Sequence, residues 1–445
     1  MSMNEKWVKT FCGYCHANCG TRVLVKNGRI ERVKGDPEYP VTRGHICPKG
    51  AAAPDVVYSP HRLKYPLLRK NDSFERISWN EALDIIAAKL LEIRNQHGPE
   101  AVAQVRGAPT TEEVFDGFVQ LMAAFGSPNA TGPSHLCSAP RRLGQELVLG
   151  GRTVPDIRRA NCIVIWGGNP PDSRSYGEPL ILEKFSTAIP EARKRGAKVI
   201  VIDPRRTELG GSADEWVNIS VETDLAFGLA LLHVIIDENL FDQEFVKNWT
   251  VGFDSLSQHV KELTPEWAEK ITDVPSDTIR RIARVYAATK PAAIYDGNGL
   301  DQHPNVVQTV RVITMLSAIT GNIDVPGGNV FAPRPKTAPY PTLRPAMKHL
   351  AFEATPLFPR VPMPYLFDAI LTGKPYRPRA LITHHANPLL INANYKKARE
   401  ALEKLELLVV YDILPTATAE LAHIILPAAS DLERHCYGAW PGFDG

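Results

Sequence analysis

The sequence predicts an α/β protein: a small β-rich module at the amino terminus, then two related halves, each built on a parallel sheet. Three observations point there. Four of the seven cysteines fall at or before residue 47, amid short alternating apolar runs. From residue 160 onward, continuous β-branched runs alternate with helical stretches, the pattern of a parallel sheet covered on both faces. The loops that follow these runs also repeat one another in register.

Taken in order, the module opens with "FCGYCHANCG" (11–20) and closes with "GHICPKG" (44–50). Cys12, Cys15, Cys19 and Cys47 therefore read C-x2-C-x3-C, a gap of 27 residues, then C-P. Structural zinc usually takes two separated C-x2-C knuckles. Three thiols on one loop suit a cubane better, because each must reach a different iron corner. The spacing favours a [4Fe–4S] cluster over zinc, with disulfides a distant third for so few, clustered cysteines. Between Cys19 and Cys47 the valines alternate, and Asn27-Gly28 makes a hairpin turn. A module of roughly sixty residues needs such a metal for its stability.

Next, "ISWNEALDIIAAKLLEIRNQHG" (77–98) is an amphipathic helix: Ser78 and Glu81 form a capping box, Leu83, Ile86, Leu90 and Ile93 line one face, and Gly98 ends it. Cys137 follows in "TGPSHLCSAPRRLG", a Gly/Pro-flanked loop before a basic helix start. Arg141 and Arg142 there would favour thiolate, although a packing cysteine is the plain alternative, as it is for Cys162 and Cys436. Strands are predicted at 162–166, 198–202, 292–295, 380–383 and 407–411. The run "LAFGLALLHVII" (225–236), preceded by the N-cap residues Thr223 and Asp224, is too short to span a bilayer and reads as a buried helix.

Ligands of parallel sheets sit at the carboxyl ends of the strands. Here those ends carry "GGNPPDS", "DPRRTELGG", "DGNGLDQ", "HHANPLL" and "DILPTATAE". One strand leads to Asn169-Pro170 and another to Asn387-Pro388; each is followed by a second strand ending in an acid, Asp203 or Asp412. Thr207 and Thr416 lie four residues past that acid, and Ala213 and Ala422 ten. Two halves, each with a nucleotide-sized groove, would explain this, with the acid on ribose hydroxyls or a guanine edge. Asp and Asn-Pro also simply make turns. No G-x-G-x-x-G opens a helix after a strand, which argues against NAD or FAD.

Composition excludes other classes. Lys plus Arg number 51 against 49 for Asp plus Glu, and basic blocks such as Arg193–Arg195 are short, so no nucleic-acid surface is expected. The opening "MSMNEKWVKTF" has no apolar h-region and no twin arginine, so a cytoplasmic protein is expected.

Together "CGYCHANCG…CPKG", "RISWNEALD", "WGGNPPDS", "VIDPRRTE", "TGNIDVPGGN" and "ILPAASDLE" resemble the catalytic subunit of the molybdopterin oxidoreductase superfamily, in its dimethyl-sulfoxide-reductase-like group. The resemblance runs from residue 12 to about 434 in family order. It implies a [4Fe–4S] cluster on Cys12, Cys15, Cys19 and Cys47, and a bis-molybdopterin guanine dinucleotide holding one Mo or W. Cys137 stands where the family supplies its protein ligand. Lys49 matches the lysine between cluster and nearer pterin, where a cation favours electron transfer. Gly167, Asn169, Asp203, Arg206, Thr207, Thr223 and Asp224 match positions holding one nucleotide; Asn298, Gly299, Asn387, Tyr411 and Asp412 fall in loops serving the other. The implied domains are 1–65 for the cluster, 66–140 plus 335–445 for one dinucleotide and 141–334 for the other. An iron–sulfur electron-transfer subunit is the implied partner.

A cysteine at 137 points to the branch of formate dehydrogenases, periplasmic-type nitrate reductases, polysulfide or thiosulfate reductases and acetylene hydratase. Formate dehydrogenases place His after the ligand, where this chain has Ser138, and an "RGQNN"-like stretch where it has "GGNVFAPRPK". Acetylene hydratase has an acid where this chain has His16. Residues 297–331 resemble the sulfur-compound reductases, so two-electron redox of thiosulfate or polysulfide is expected. Formate-dehydrogenase-like or acetylene-hydratase-like enzymes, or a non-catalytic electron-transfer subunit of the same fold, are the alternatives. The expected fold lacks the family's C-terminal barrel, which a second polypeptide or further chain would supply.

Overall fold

The computed structural model describes residues 5–15, 18–39, 42–107, 112–170, 185–331 and 361–435. His16, Cys436 and the second half of "GGNVFAPRPK" (332–336) lie outside them. The chain divides into two compact units, Met1–Ser134 with Lys336–Gly445, and His135–Pro335.

The first unit begins with an antiparallel sheet of Glu5–Phe11, Gly20–Lys26 and Arg29–Gly35. Asn27 (φ 49°) and Gly28 (φ 77°) are both left-handed, as a two-residue hairpin turn requires. Val23, Val33 and Ala53 form the module's small core. A seven-stranded sheet follows, in the order Ser73–Arg76, Leu67–Lys70, Ile424–Pro427, Leu407–Asp412, Ala380–His384, Val102–Arg106, Ala130–Thr131. Its last five strands are parallel, and the Leu67–Lys70 hairpin adds an antiparallel edge. Ala380 and Ile382 belong to one core and Leu381 to another on the opposite face, so both faces are covered.

The helix Trp79–His97 starts as expected, with Ser78 Oγ accepting from Glu81 N at 3.1 Å. Its buried stripe is Ala82, Ile86, Leu90 and Ile93, however, and Leu83 is 51% exposed. One residue is about 100° of helix, enough to carry Leu83 off that stripe.

The second unit is a parallel sheet in the order Glu215–Val217, Lys198–Ile202, Cys162–Trp166, Ala292–Asp296. Cys162, Val164 and Trp166 face one core, and Ile163 and Ile165 the other. Helix Asp224–Asp237 is buried along most of its length. Thr223 occupies its N-cap position, but its hydroxyl donates to Ser220 O at 2.6 Å and does not cap. No helix among the described residues is long and apolar enough to cross a membrane.

The two sheets share one plan. The strand after each acid starts twelve residues on (203 to 215, 412 to 424) and pairs parallel with the strand before it. Thr207 Oγ1 accepts from Gly210 N at 3.0 Å, and Thr416 Oγ1 from Ala419 N at 3.3 Å. Ala213 (φ −67°, ψ 158°) and Ala422 (φ −65°, ψ 148°) then return both chains to extended backbone. The sparse sequence repeat is thus a repeated turn. The strand on the other side of each Asn-Pro strand breaks the parallel: Ala292–Asp296 comes late in its half, Val102–Arg106 early in the other.

Candidate functional site

The cysteine loop leaves the first strand at Cys12, whose N donates to Cys19 O at 2.9 Å, closing the loop on itself. Cys47 precedes the short helix Pro48–Ala51, which carries Lys49 on an exposed surface. Cys19 is buried and Cys12, Cys15 and Cys47 half-buried. Burial pushes the Cys12 thiol up to about 12, and the neighbouring thiols of Cys15, Cys19 and Cys47 add to the shift while the Tyr14 N–H opposes it. All four sulfurs therefore share one neighbourhood. Among the described residues, no three His, Cys, Asp or Glu side chains close around a single ion. The 430–433 segment packs on this loop: a Cβ on Gly13 would lie 2.0 Å from Asp431 Oδ2, and Arg62 anchors the segment through Glu433 at 2.8 Å.

In the second unit, candidate residues gather at the carboxyl edge of the sheet. Gly167 (φ 63°) accepts from Gly299 N at 2.8 Å, and a Cβ on Gly297 would meet Gly167 O at 2.2 Å, so two loops touch backbone to backbone. Asn169 Oδ1 is buried with no hydrogen-bond partner among the described residues. Asp203 and Asp224 are both pushed up by burial; Arg205 N donates to the first at 2.8 Å, and Trp166 Nε1 to the second at 2.7 Å. Arg206 is exposed over the Trp216 ring at 5.5 Å. Asn298 and Gly299, expected with Asn387, Tyr411 and Asp412, come from this same edge.

Cys137 is half-buried, just before helix Ala139–Leu149. The arginines expected to favour its thiolate are engaged otherwise. Arg141 is buried and paired with Asp301, and its Nη2 donates to the Cys137 carbonyl at 3.0 Å. Arg142 pairs with Glu146 at 2.6 Å.

In the first unit, Asn387 Oδ1 accepts from Thr418 Oγ1 at 2.6 Å and from Thr418 N at 3.3 Å. The other half explains the orphaned Asn169: Leu209, buried, stands six residues past its acid where Thr418 stands past Asp412. Asp412 is pushed up by burial while Ile413 N donates to it at 2.7 Å. Tyr411 is half-buried, its ring 6.5 Å from those of Phe118 and His385.

Residues not singled out from the sequence complete these edges. His384 stacks on Phe118 at 4.0 Å and accepts from Gln104 Nε2 at 2.7 Å. Burial lowers it to about 3, with His385 and Arg106 adding. His385 (φ 53°) takes the left-handed position that Gly167 takes in the other half. Asp296 and Asp301 likewise matter through partners far away in the chain, and no local spacing marks them; Asp431 also pairs with Arg434 at 2.8 Å.

The chain matches the family model described as Molybdopterin oxidoreductase over residues 62–436, and the Molybdopterin oxidoreductase Fe4S4 domain over 5–59. It is 32% identical to the F420-dependent formate dehydrogenase subunit alpha of Methanocaldococcus jannaschii, covering 97% of this chain and 65% of the relative. It is 31% identical to the thiosulfate reductase molybdopterin-containing subunit of Salmonella typhimurium, covering 96% and 58%. Among solved structures, acetylene hydratase from Pelobacter acetylenicus superposes with a TM-score of 0.87 at 29% identity, covering 98% of this chain and 65% of that one. The chain thus spans 65% and 58% of the length of these two curated relatives.

Proposed function

The chain belongs to the molybdopterin oxidoreductase family, and from that premise we propose that it is the cofactor-bearing part of a molybdenum- or tungsten-dependent oxidoreductase acting on thiosulfate or polysulfide. The observation that carries the reading is duplication. Two sheets of one plan each present Asn-Pro and a strand-end acid at their carboxyl edges, a place for one guanine dinucleotide apiece. Gly167, Asn169, Asp203, Arg206, Thr207, Thr223 and Asp224 would hold one, with Asn298 and Gly299 beside them on the same edge, and Asn387, Tyr411 and Asp412 would serve the other. The unmatched Asn169 oxygen and the carboxyls raised by burial suit a ligand that donates N–H or O–H.

The four gathered thiols of Cys12, Cys15, Cys19 and Cys47 would hold the cluster as thiolates. Cys137 would give Mo or W a soft thiolate, and Lys49 would set a positive charge between cluster and pterin. When bound, the pterin-held metal would supply two-electron chemistry and the cluster single-electron chemistry, with an iron–sulfur subunit as the proposed electron partner. Ser138 weighs against formate as the substrate: a hydroxyl cannot take up a proton at neutral pH as an imidazole can.

Protein purified anaerobically should carry about four irons and nearly one Mo or W per chain, and should oxidise reduced viologen with thiosulfate or polysulfide. Turnover of formate or acetylene instead would reassign the substrate. Iron without Mo or W would leave an electron carrier.

A further inference from the structure

We propose that Arg141 and Asp301 are positioning residues for Cys137, forming a buried clamp that fixes the Cys137 backbone against the carboxyl end of the Ala292–Asp296 strand. The proposal rests on the reading of Cys137 as the protein ligand to Mo or W.

The clamp starts from a missing cap. Helix Ala139–Leu149 has Ser138 at its N-cap, but the Ser138 side chain makes no capping bond, and Pro140 has no N–H to offer. Asp301, from a distant 3-10 turn (Leu300–Gln302), caps in its place: its Oδ1 accepts from Arg141 N at 3.2 Å. The other carboxylate oxygen pairs with Arg141 Nε. The remaining guanidinium nitrogens reach two carbonyls, Nη1 to Asp296 O and Nη2 to Cys137 O at 3.0 Å. Gln145, one turn further along the helix, donates Nε2 to Asp296 Oδ2 at 2.9 Å and accepts from Thr153 N at 2.9 Å.

One guanidinium therefore ties three pieces together: the Cys137 carbonyl, the end of a sheet strand and the loop beyond it. The planar fork makes this possible, since its donors diverge in fixed directions, and a lysine could satisfy only part of the set. Arg141 is 6% exposed and Asp301 2%. Replacing such a buried pair with apolar residues is often neutral for stability. A pair kept here has a second use, in holding the carbonyl of the one residue whose sulfur must meet a metal at a set distance. A ligand misplaced by a fraction of an ångström changes the metal's geometry and potential.

Arg141→Gln alone would strand Asp301 as a buried charge and could unfold the unit, so the decisive variant is the double Arg141→Met/Asp301→Leu, with exposed Arg142→Gln as control. The readouts on the metal-loaded enzyme are X-ray absorption at the Mo or W edge and the EPR signal of the metal. Wild type should show about five sulfur neighbours. The double variant is expected to lose about one of them and to shift the EPR signal, with cluster iron unchanged, while Arg142→Gln matches wild type. In cofactor-free protein, amide exchange at 137–141 should quicken about tenfold in the double variant. A double variant with the wild-type sulfur count and EPR signal overturns the clamp, whatever its exchange rate. Cys137→Ala separates the two ideas: if it too keeps every sulfur, the ligand reading has failed, and if it alone loses one, the positioning reading has.

Discussion

His384 is fully buried, and burial with the nearby His385 and Arg106 holds it down to about 3. In the unfolded chain an imidazole takes its proton near 6.5. Between those values the unfolded state binds the extra proton, so stability is complete above pH 6.5 and falls as pH drops towards 3, by about 1.4 kcal/mol per pH unit. Asp203, Asp224 and Asp412, raised by burial, act in the opposite sense. The comparison that isolates His384 is therefore between wild type and His384→Gln, whose urea midpoints should converge as pH falls from 7 to 5. Parallel curves would show that His384 does not titrate on unfolding. Cys12→Ala should cost the cluster one of its four thiolates and leave well under four irons; full iron content in that variant would argue against four-cysteine ligation. The cysteine spacing was legible because its chemistry is local. Arg141 and Asp301 were not, because 160 residues separate them and each alone looks like a surface charge.

At the level of elements, continuous apolar runs betrayed the central strands: Cys162–Trp166 and Lys198–Ile202 have the bounds expected of them. Val102–Arg106 escaped notice because Gln104 interrupts it, and that glutamine is buried to bind His384. Leu83 misled for the opposite reason, an apolar residue on a helix's open side. Helix glycines offer a controlled pair of tests. A Cβ on Gly144 would come within 2.8 Å of Val310 Cβ and 2.9 Å of Val307 O, so the Ala139–Leu149 helix sits hard against Val306–Ile319. Gly144→Ala should destabilise by about 1–3 kcal/mol through overpacking, despite alanine's better helix propensity. Gly117, in Glu112–Phe125, has nothing within 4 Å of such a Cβ. Gly117→Ala should therefore stabilise by about 0.5–1 kcal/mol. Thermal melts that rank the two variants the other way would contradict these contacts.

At the scale of the whole molecule, the second unit is one uninterrupted run, while the first is completed from both sides of it. Residues 135–335 include a sheet with both faces covered by their own core. Expressed alone, that span should unfold in a single cooperative transition; a broad, non-cooperative melt would mean that it depends on the rest. The shared plan of the two sheets was readable from the loops, because ligand-edge turns repeat Asn-Pro, Asp and Thr at fixed offsets. The strands that flank the two Asn-Pro strands were read unequally: Ala292–Asp296, arriving late in its half, was legible as an apolar run, and Val102–Arg106, arriving early in the other, was not. That difference has a consequence on the ribosome. Val102–Arg106 emerges without its neighbour Ala380–His384, which is still 273 residues from being translated (107 to 379). At bacterial or eukaryotic elongation rates this strand waits roughly 14–55 s with an open edge, while the second unit, finished by Pro335, can fold and leave the queue first. Nascent-chain protection is thus a demand on the amino-terminal third, and a chaperone acting on this protein should be found on residues 66–134.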